Sequence, residues 1–211
     1  MKGIILNEHY GIESATLDGR INRLSLNAFN KHISPYESAF IYYLCGSSKP
    51  EYNYKTNVFD LDVKNVNKAL KTLHLKPIYK IGDIIAIKQT YNTVWSEMKD
   101  GPEKDLFKQN YMRHPGAWRK LFVKNDIMPH QIQITDIKFE YMSHVSTEDC
   151  LRSGVFKHIS HAKLYYTHAG IGNYFFETAQ AAYASLMGYL FADRTCSIAE
   201  LNIAYYFKLI K

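Results

Sequence analysis

The sequence predicts a mixed α+β fold built on a small curved sheet or barrel. Three observations carry this. One is a long alternating strand closed by a short capped helix, from Pro129 to Val155. The second is an apolar helical stripe near the C-terminal end of the chain, and the third is a strand-like terminal segment, Ile203 to Ile210. In the long strand, Ile132 and Ile134 alternate with Gln131 and Gln133, the period of a half-buried strand. Ile137, Phe139 and Tyr141 continue the alternation one residue out of phase. The slip at Thr135-Asp136 predicts a β-bulge. Ser146 then offers a helix N-cap, with Glu148 and Asp149 in the first turn where the helix dipole favours acids. Val145 and Cys150 hold the two positions of a hydrophobic staple, and Gly154 is placed to end the helix in a left-handed conformation.

The remaining elements follow in order. Gly3 to Leu6 is a short apolar strand, Ile12 to Asp18 a helix ended by Gly19, and Ile21 to Leu26 a strand. Residues 27–77 read as an insertion, with a strand at Ala39 to Cys45 and a helix over Val63 to Leu75. The helix repeats Val63, Val66, Leu70 and Leu73 at helical spacing and stops at Pro77. Ile81-Gly82-Asp83 turns into a strand that runs through Tyr91. Ala162 to Thr167 is a strand, and Phe175 to Phe191 is the longest helix, with Phe175, Ala179, Ala182, Tyr183, Leu186, Met187 and Leu190 on one face. No repeat or linker divides the 211 residues, so a single domain spans 1–211 with the insertion at about 27–77.

Composition bounds the function classes. Hydrophobic residues are 46% and charged residues 22%, ordinary for a soluble globular protein. The net charge of +6 permits a polyanionic partner and equally serves solubility. Cys45, Cys150 and Cys196 are widely spaced with no CxxC pair, which reads as reduced thiols in a cytoplasmic protein. The apolar run in MKGIILNEHYG is too short for a signal peptide, and no stretch approaches a membrane span.

Chemistry-bearing clusters are few. Between residues 104 and 124, Lys104, Lys108, Arg113, Arg119, Lys120 and Lys124 face one acid, Asp105, with Phe107, Tyr111, Trp118 and Phe122 interleaved. Cations neutralise phosphates and rings stack on unpaired bases, so this is the strongest polyanion signal. The competing reading is a solvated loop anchored by its aromatics. His158, His161 and His168 lack converging spacing or an acidic or cysteine partner, so no metal site or other cofactor is expected. Glu148 and Asp149 are accounted for by helix capping. No phosphate-binding glycine loop or Ser/His/Asp set is present.

Four segments in order resemble an ASCH domain of the PUA-like superfamily, the larger type found in bacteria and phages. They are LDGRINR at 17–23, YKIGDIIAIKQTY at 79–91, MPHQIQITDIKFEYMSHVSTEDCLRSGV at 128–155, and the helix AQAAYASLMGYL with the strand IAYYFKLI. The resemblance implies a small PUA-like β-barrel with flanking helices and an RNA-binding cleft beside it. Some small members are amidohydrolases acting on an acetylated cytidine, through a lysine, a threonine and a glutamate. The corresponding positions here are Ile21, Arg23 or Leu24, and Ser153, and Gln89 replaces a glutamate that often closes the glycine-aspartate strand. Isoleucine, leucine and serine do not rebuild a nucleophile and base, so no catalytic residue is assigned. The implied cleft adds Arg20 and Arg23 for phosphate, Lys88, Gln89 and Tyr91 from the neighbouring strand, and His130 near its mouth. The expected binding set is thus Arg20, Arg23, Lys88, Gln89, Tyr91, Arg113, Trp118, Arg119, Lys120 and His130, with RNA or a nucleotide as partner. The alternatives are an amidohydrolase-type enzyme with a rearranged site on a modified nucleoside, and a bacterial or phage protein-interaction module.

Overall fold

The computed structural model of the protein describes residues 1–6, 12–26, 52–53, 58–59, 71, 76–141, 145–168, 174–190 and 201–210. It is an α+β protein. The central sheet has five strands: β1 (Lys2–Ile4), β2 (Arg23–Leu26), β5 (Ile84–Ile87), β6 (Gln131–Tyr141) and β9 (Leu201–Ile210). Their order is β1-β5-β6-β9-β2, with β1 and β5 parallel and every other pair antiparallel. Among the described residues no pairing joins β1 to β2 and no closed barrel is formed.

β6 and β9 form the backbone of the sheet. Ile132 and Ile134 are buried and pair with Leu209 and Phe207. The register then slips between Ile134 and Asp136, at the predicted bulge. The extra residue returns Ile137 to the core side, where it packs on the main apolar cluster.

That cluster lies against three helices: α1 (Ile12–Leu17), α4 (Thr147–Arg152) and α5 (Ala179–Leu190). Ser146 caps α4 by accepting the Asp149 N–H at 3.1 Å, and Gly154 leaves it at φ +106°. In α5, Ala179, Ala182, Tyr183, Leu186 and Met187 are buried at helical spacing. The helix starts later than its apolar stripe suggests. Phe176 instead exchanges two backbone hydrogen bonds of 2.8 Å with Tyr166, and Thr178 Oγ1 accepts the Ala181 N–H at 3.2 Å, setting the start. β7 (Val155–Ser160) and β8 (Lys163–His168) form a separate hairpin packed against α5. β7 was not foreseen.

A second correction concerns Tyr91. The strand expected to reach it stops at Ile87, because Thr90 Oγ1 accepts the Thr93 N–H at 3.1 Å and starts α2 (Tyr91–Glu97). α3 (Pro102–Tyr111) and three 3-10 turns, at Pro115–Ala117, Lys120–Phe122 and Asn125–Ile127, then lead into β6. Within the insertion, β3 (Tyr52–Asn53) and β4 (Val58–Phe59) pair antiparallel. The expected strand at Ala39 to Cys45, and the expected helix over Val63 to Leu75 apart from Lys71, lie outside the described residues. Cys150 is a buried free thiol, while Cys45 and Cys196 also lie outside them. Among the described residues no helix is long and apolar enough to cross a membrane.

Candidate nucleic-acid interface

Residues 91–128 build a small module on the β5 side of the sheet, around the ring of Tyr91. Tyr91 is fully buried and packs edge-on to Phe107 with centroids 6.0 Å apart, and beside Tyr111 at 5.1 Å and His114 at 5.9 Å. Its hydroxyl accepts the Lys124 N–H at 2.8 Å. Gly116 lies flat on the same ring: a Cβ there would sit 2.5 Å from Tyr91 Cε2, so only glycine permits the approach. The module has its own apolar core of Ala86, Tyr91, Val94, Val123 and Met128. Tyr91 is therefore a structural centre, and the aromatic available to a ligand is a different one.

That residue is Trp118, which is 71% exposed. Its neighbours are held firmly. Ala117 is fully buried, and the N–H groups of Trp118 and Arg119 both donate to Pro115 O, at 3.3 and 3.2 Å. Leu121 and Phe122 on the next turn are exposed too. Arg113, Arg119 and Lys124 of the same segment are exposed, and no ion pair ties their side chains among the described residues. Lys120 is different: it turns inward to the Glu13 carboxylate and to Leu6 O at 3.2 Å, fastening the module to α1. Lys104 pairs with Asp100 at 2.8 Å and, with Lys108, covers the Trp95 ring at 5.1 and 5.4 Å.

The other expected site residues fall into different settings. His130 and Lys88 flank the end of β5; His130 Nε2 is 3.6 Å from a Glu97 carboxylate oxygen. Gln89 is buried, and its Oε1 has no hydrogen-bond partner among the described residues. Arg20 is exposed and paired with Asp18 at 2.8 Å.

Arg23 is fully buried, and its guanidinium is occupied from within the protein. Nη1 donates to Ser153 Oγ at 2.5 Å and Tyr183 Oη at 3.5 Å, Nε donates to Tyr206 Oη at 3.2 Å, and Nη2 donates to the Glu140 carboxylate. Asp149 stands 3.8 Å from Nε and accepts the Tyr206 hydroxyl at 2.7 Å. Burial alone would lower the Arg23 pKa, but Tyr183, Tyr206 and Asp149 outweigh it and hold the guanidinium charged. Burial, helped by the bond to Asp149, pushes the Tyr206 phenol up to about 12. Burial likewise pushes the Cys150 thiol up to about 12, leaving it a neutral core group at physiological pH.

Comparison with protein families, curated proteins and solved structures finds no match. The interior network uses Glu140, Asp149, Ser153, Tyr183 and Tyr206, none of which the sequence reading assigned to a site. Asp149 is accounted for by capping, Ser153 enters only as the position of the hydrolase glutamate, and Tyr183 only as part of an apolar helix face. In the structure the cap belongs to Ser146, while Asp149 uses its second oxygen toward Tyr206 and Arg23. The segment 113–124 exposes both cations and rings, a combination of groups suited to an anionic ligand with flat bases.

Proposed function

We propose that the protein is an ASCH-type, PUA-like module that binds RNA or a nucleotide through the basic segment of residues 108–124. The observation that carries the reading is Trp118, exposed on a clamped turn in a segment whose cations Arg113, Arg119 and Lys124 are exposed as well. Cations release counterions from a phosphate backbone, and an exposed ring adds a contact that inorganic polyanions do not reward. Support for the family resemblance comes from the interior. Arg23 bonds Ser153, and Ile21 Cδ1 lies 3.1 Å from where a Cβ on Gly154 would be, so the three positions aligned with the hydrolase residues are neighbours. They hold a saturated ion cluster and an aliphatic side chain there, which favours binding over hydrolysis.

The test is fluorescence anisotropy of a labelled single-stranded RNA over a range of salt concentrations, with the wild type and the variant Arg113→Ala/Arg119→Ala/Lys124→Ala. Affinity of the wild type is expected to fall steeply with salt. In the variant the slope of log K against log salt shrinks by about 2, from ~0.7 for each lost phosphate contact on a single strand. No binding at low salt, or an unchanged slope in the variant, refutes the proposal.

A further inference from the structure

We infer that Trp118 is a stacking platform for an unpaired base, so that the module selects single-stranded nucleic acid over duplex; this rests on the nucleic-acid reading above. The two tryptophans of the chain are used in opposite ways. The Trp95 ring is only partly exposed and is already engaged by the ammonium groups of Lys104 and Lys108. Trp118 is 71% exposed, and its backbone is pinned on both sides. On one side His114 Nδ1 accepts the Gly116 N–H at 3.2 Å, Gly116 lies on the Tyr91 ring and Ala117 is buried. On the other, Phe122 N–H donates to Arg119 O at 3.1 Å, Lys120 is fixed to Glu13 and Leu6, and Val123 is buried. A ring on such a support loses little freedom when a base settles on it, which reduces the ordering cost of binding.

The chemistry then selects the strand form. In a duplex both faces of each base are covered by neighbours, and only an unpaired base can present a face to the indole. Arg119 follows Trp118 directly, so a cation for the attached phosphate is at hand. Phe122, 44% exposed on the next turn, is a second exposed ring of the same segment. Stacking of this kind is tolerant of base identity, so the class of ligand is a single strand without strong sequence preference.

The experiment follows tryptophan fluorescence and affinity together, with a uridine oligonucleotide, its duplex with an adenosine oligonucleotide, and anionic phosphatidylserine vesicles. The single strand is expected to quench the wild-type emission. Trp118→Phe abolishes that quench while affinity stays within about threefold, because a ring remains. Trp118→Ala weakens single-strand binding about tenfold, in line with the range for loss of one base–aromatic stack, and leaves duplex binding unchanged. Both side chains sit at an exposed position, and far-ultraviolet circular dichroism checks that each variant is folded. Salt-sensitive binding of both strand forms that ignores Trp118→Ala overturns the stacking inference and leaves the nucleic-acid reading standing. Absence of binding to either strand form overturns both. Trp118-dependent binding to the vesicles without binding to the single strand also overturns both and reassigns the patch to a lipid surface.

Discussion

Arg23 carries a full charge into a position with no exposed surface. An isolated guanidinium there would cost several kcal/mol, and the structure offsets this with Glu140, Asp149, Ser153, Tyr183 and Tyr206. The consequence is an asymmetry. Removing Arg23 leaves Glu140 and Asp149, both mostly buried, without the guanidinium that pairs them. Arg23→Ala is therefore expected to lower the unfolding free energy by on the order of 3 kcal/mol. Arg23→Lys should recover only part of it, since an ammonium lacks the planar fork that reaches four acceptors at once. Equilibrium urea unfolding checks both; a midpoint for Arg23→Ala within error of wild type would show the cluster to be energetically idle. The sequence pointed to Arg23 but not to its setting, because its partners lie 117, 130, 160 and 183 residues away in the chain. No local pattern announces a buried charge. Burial of a charge is decided by which strands and helices meet, and here β2, β6, α4, α5 and β9 all contribute.

Elements whose cause is local were legible; those whose cause is a competing contact were not. The β6 bulge, the Ser146 cap and the Gly154 stop each follow from a few adjacent residues, and each is present. The strand through Tyr91 was overextended because Thr90 is a better helix cap than a strand residue, and a cap wins where a helix can pack behind it. The β7–β8 hairpin shows the opposite case. It turns through His161 and Ala162 at φ +50° and +61°, left-handed values that cost a residue with a Cβ roughly 1–2 kcal/mol each. Asn-Gly would signal such a turn, and His-Ala does not, so β7 went unread. The cost predicts a gain. Ala162→Gly removes the steric conflict at an exposed position and, after the added chain entropy of glycine in the unfolded state, should stabilise by about 0.5 kcal/mol. A thermal scan that shows Ala162→Gly melting below wild type would mean the turn carries no such strain.

At the scale of the whole molecule, two acidic groups join distant parts of the chain, and both have lowered pKa values. Asp149 does so against its burial: the hydrogen bond from Tyr206, the charge of Arg23 and the Ser146 hydroxyl outweigh desolvation. Asp83, half-buried, is lowered first by the Lys2 ammonium at 2.7 Å and then by the Lys80 N–H. One links α4 to β2 and β9, the other links β1 to the turn before β5. A carboxyl group with a lower pKa in the folded than in the unfolded state takes up its proton on unfolding. Its contribution is fully present above the unfolded value, about 4, and is lost as pH falls through the folded value. The urea midpoint should therefore be level with respect to these groups from about pH 7 to 5 and fall below about 4. Asp149→Asn separates the interior group from the surface one. It should start lower at pH 7, where it lacks the charged partner for Arg23, and lose less on acidification, because one of the two protons taken up on unfolding is gone. Parallel pH curves for wild type and Asp149→Asn would place the acid sensitivity elsewhere and remove Asp149 as a source of it. Convergence of the two curves toward acid pH would make the Arg23 cluster the acid-labile joint between the helices and the sheet, while the Trp118 module, fastened through Lys120 and Glu13, is held by a separate ion pair.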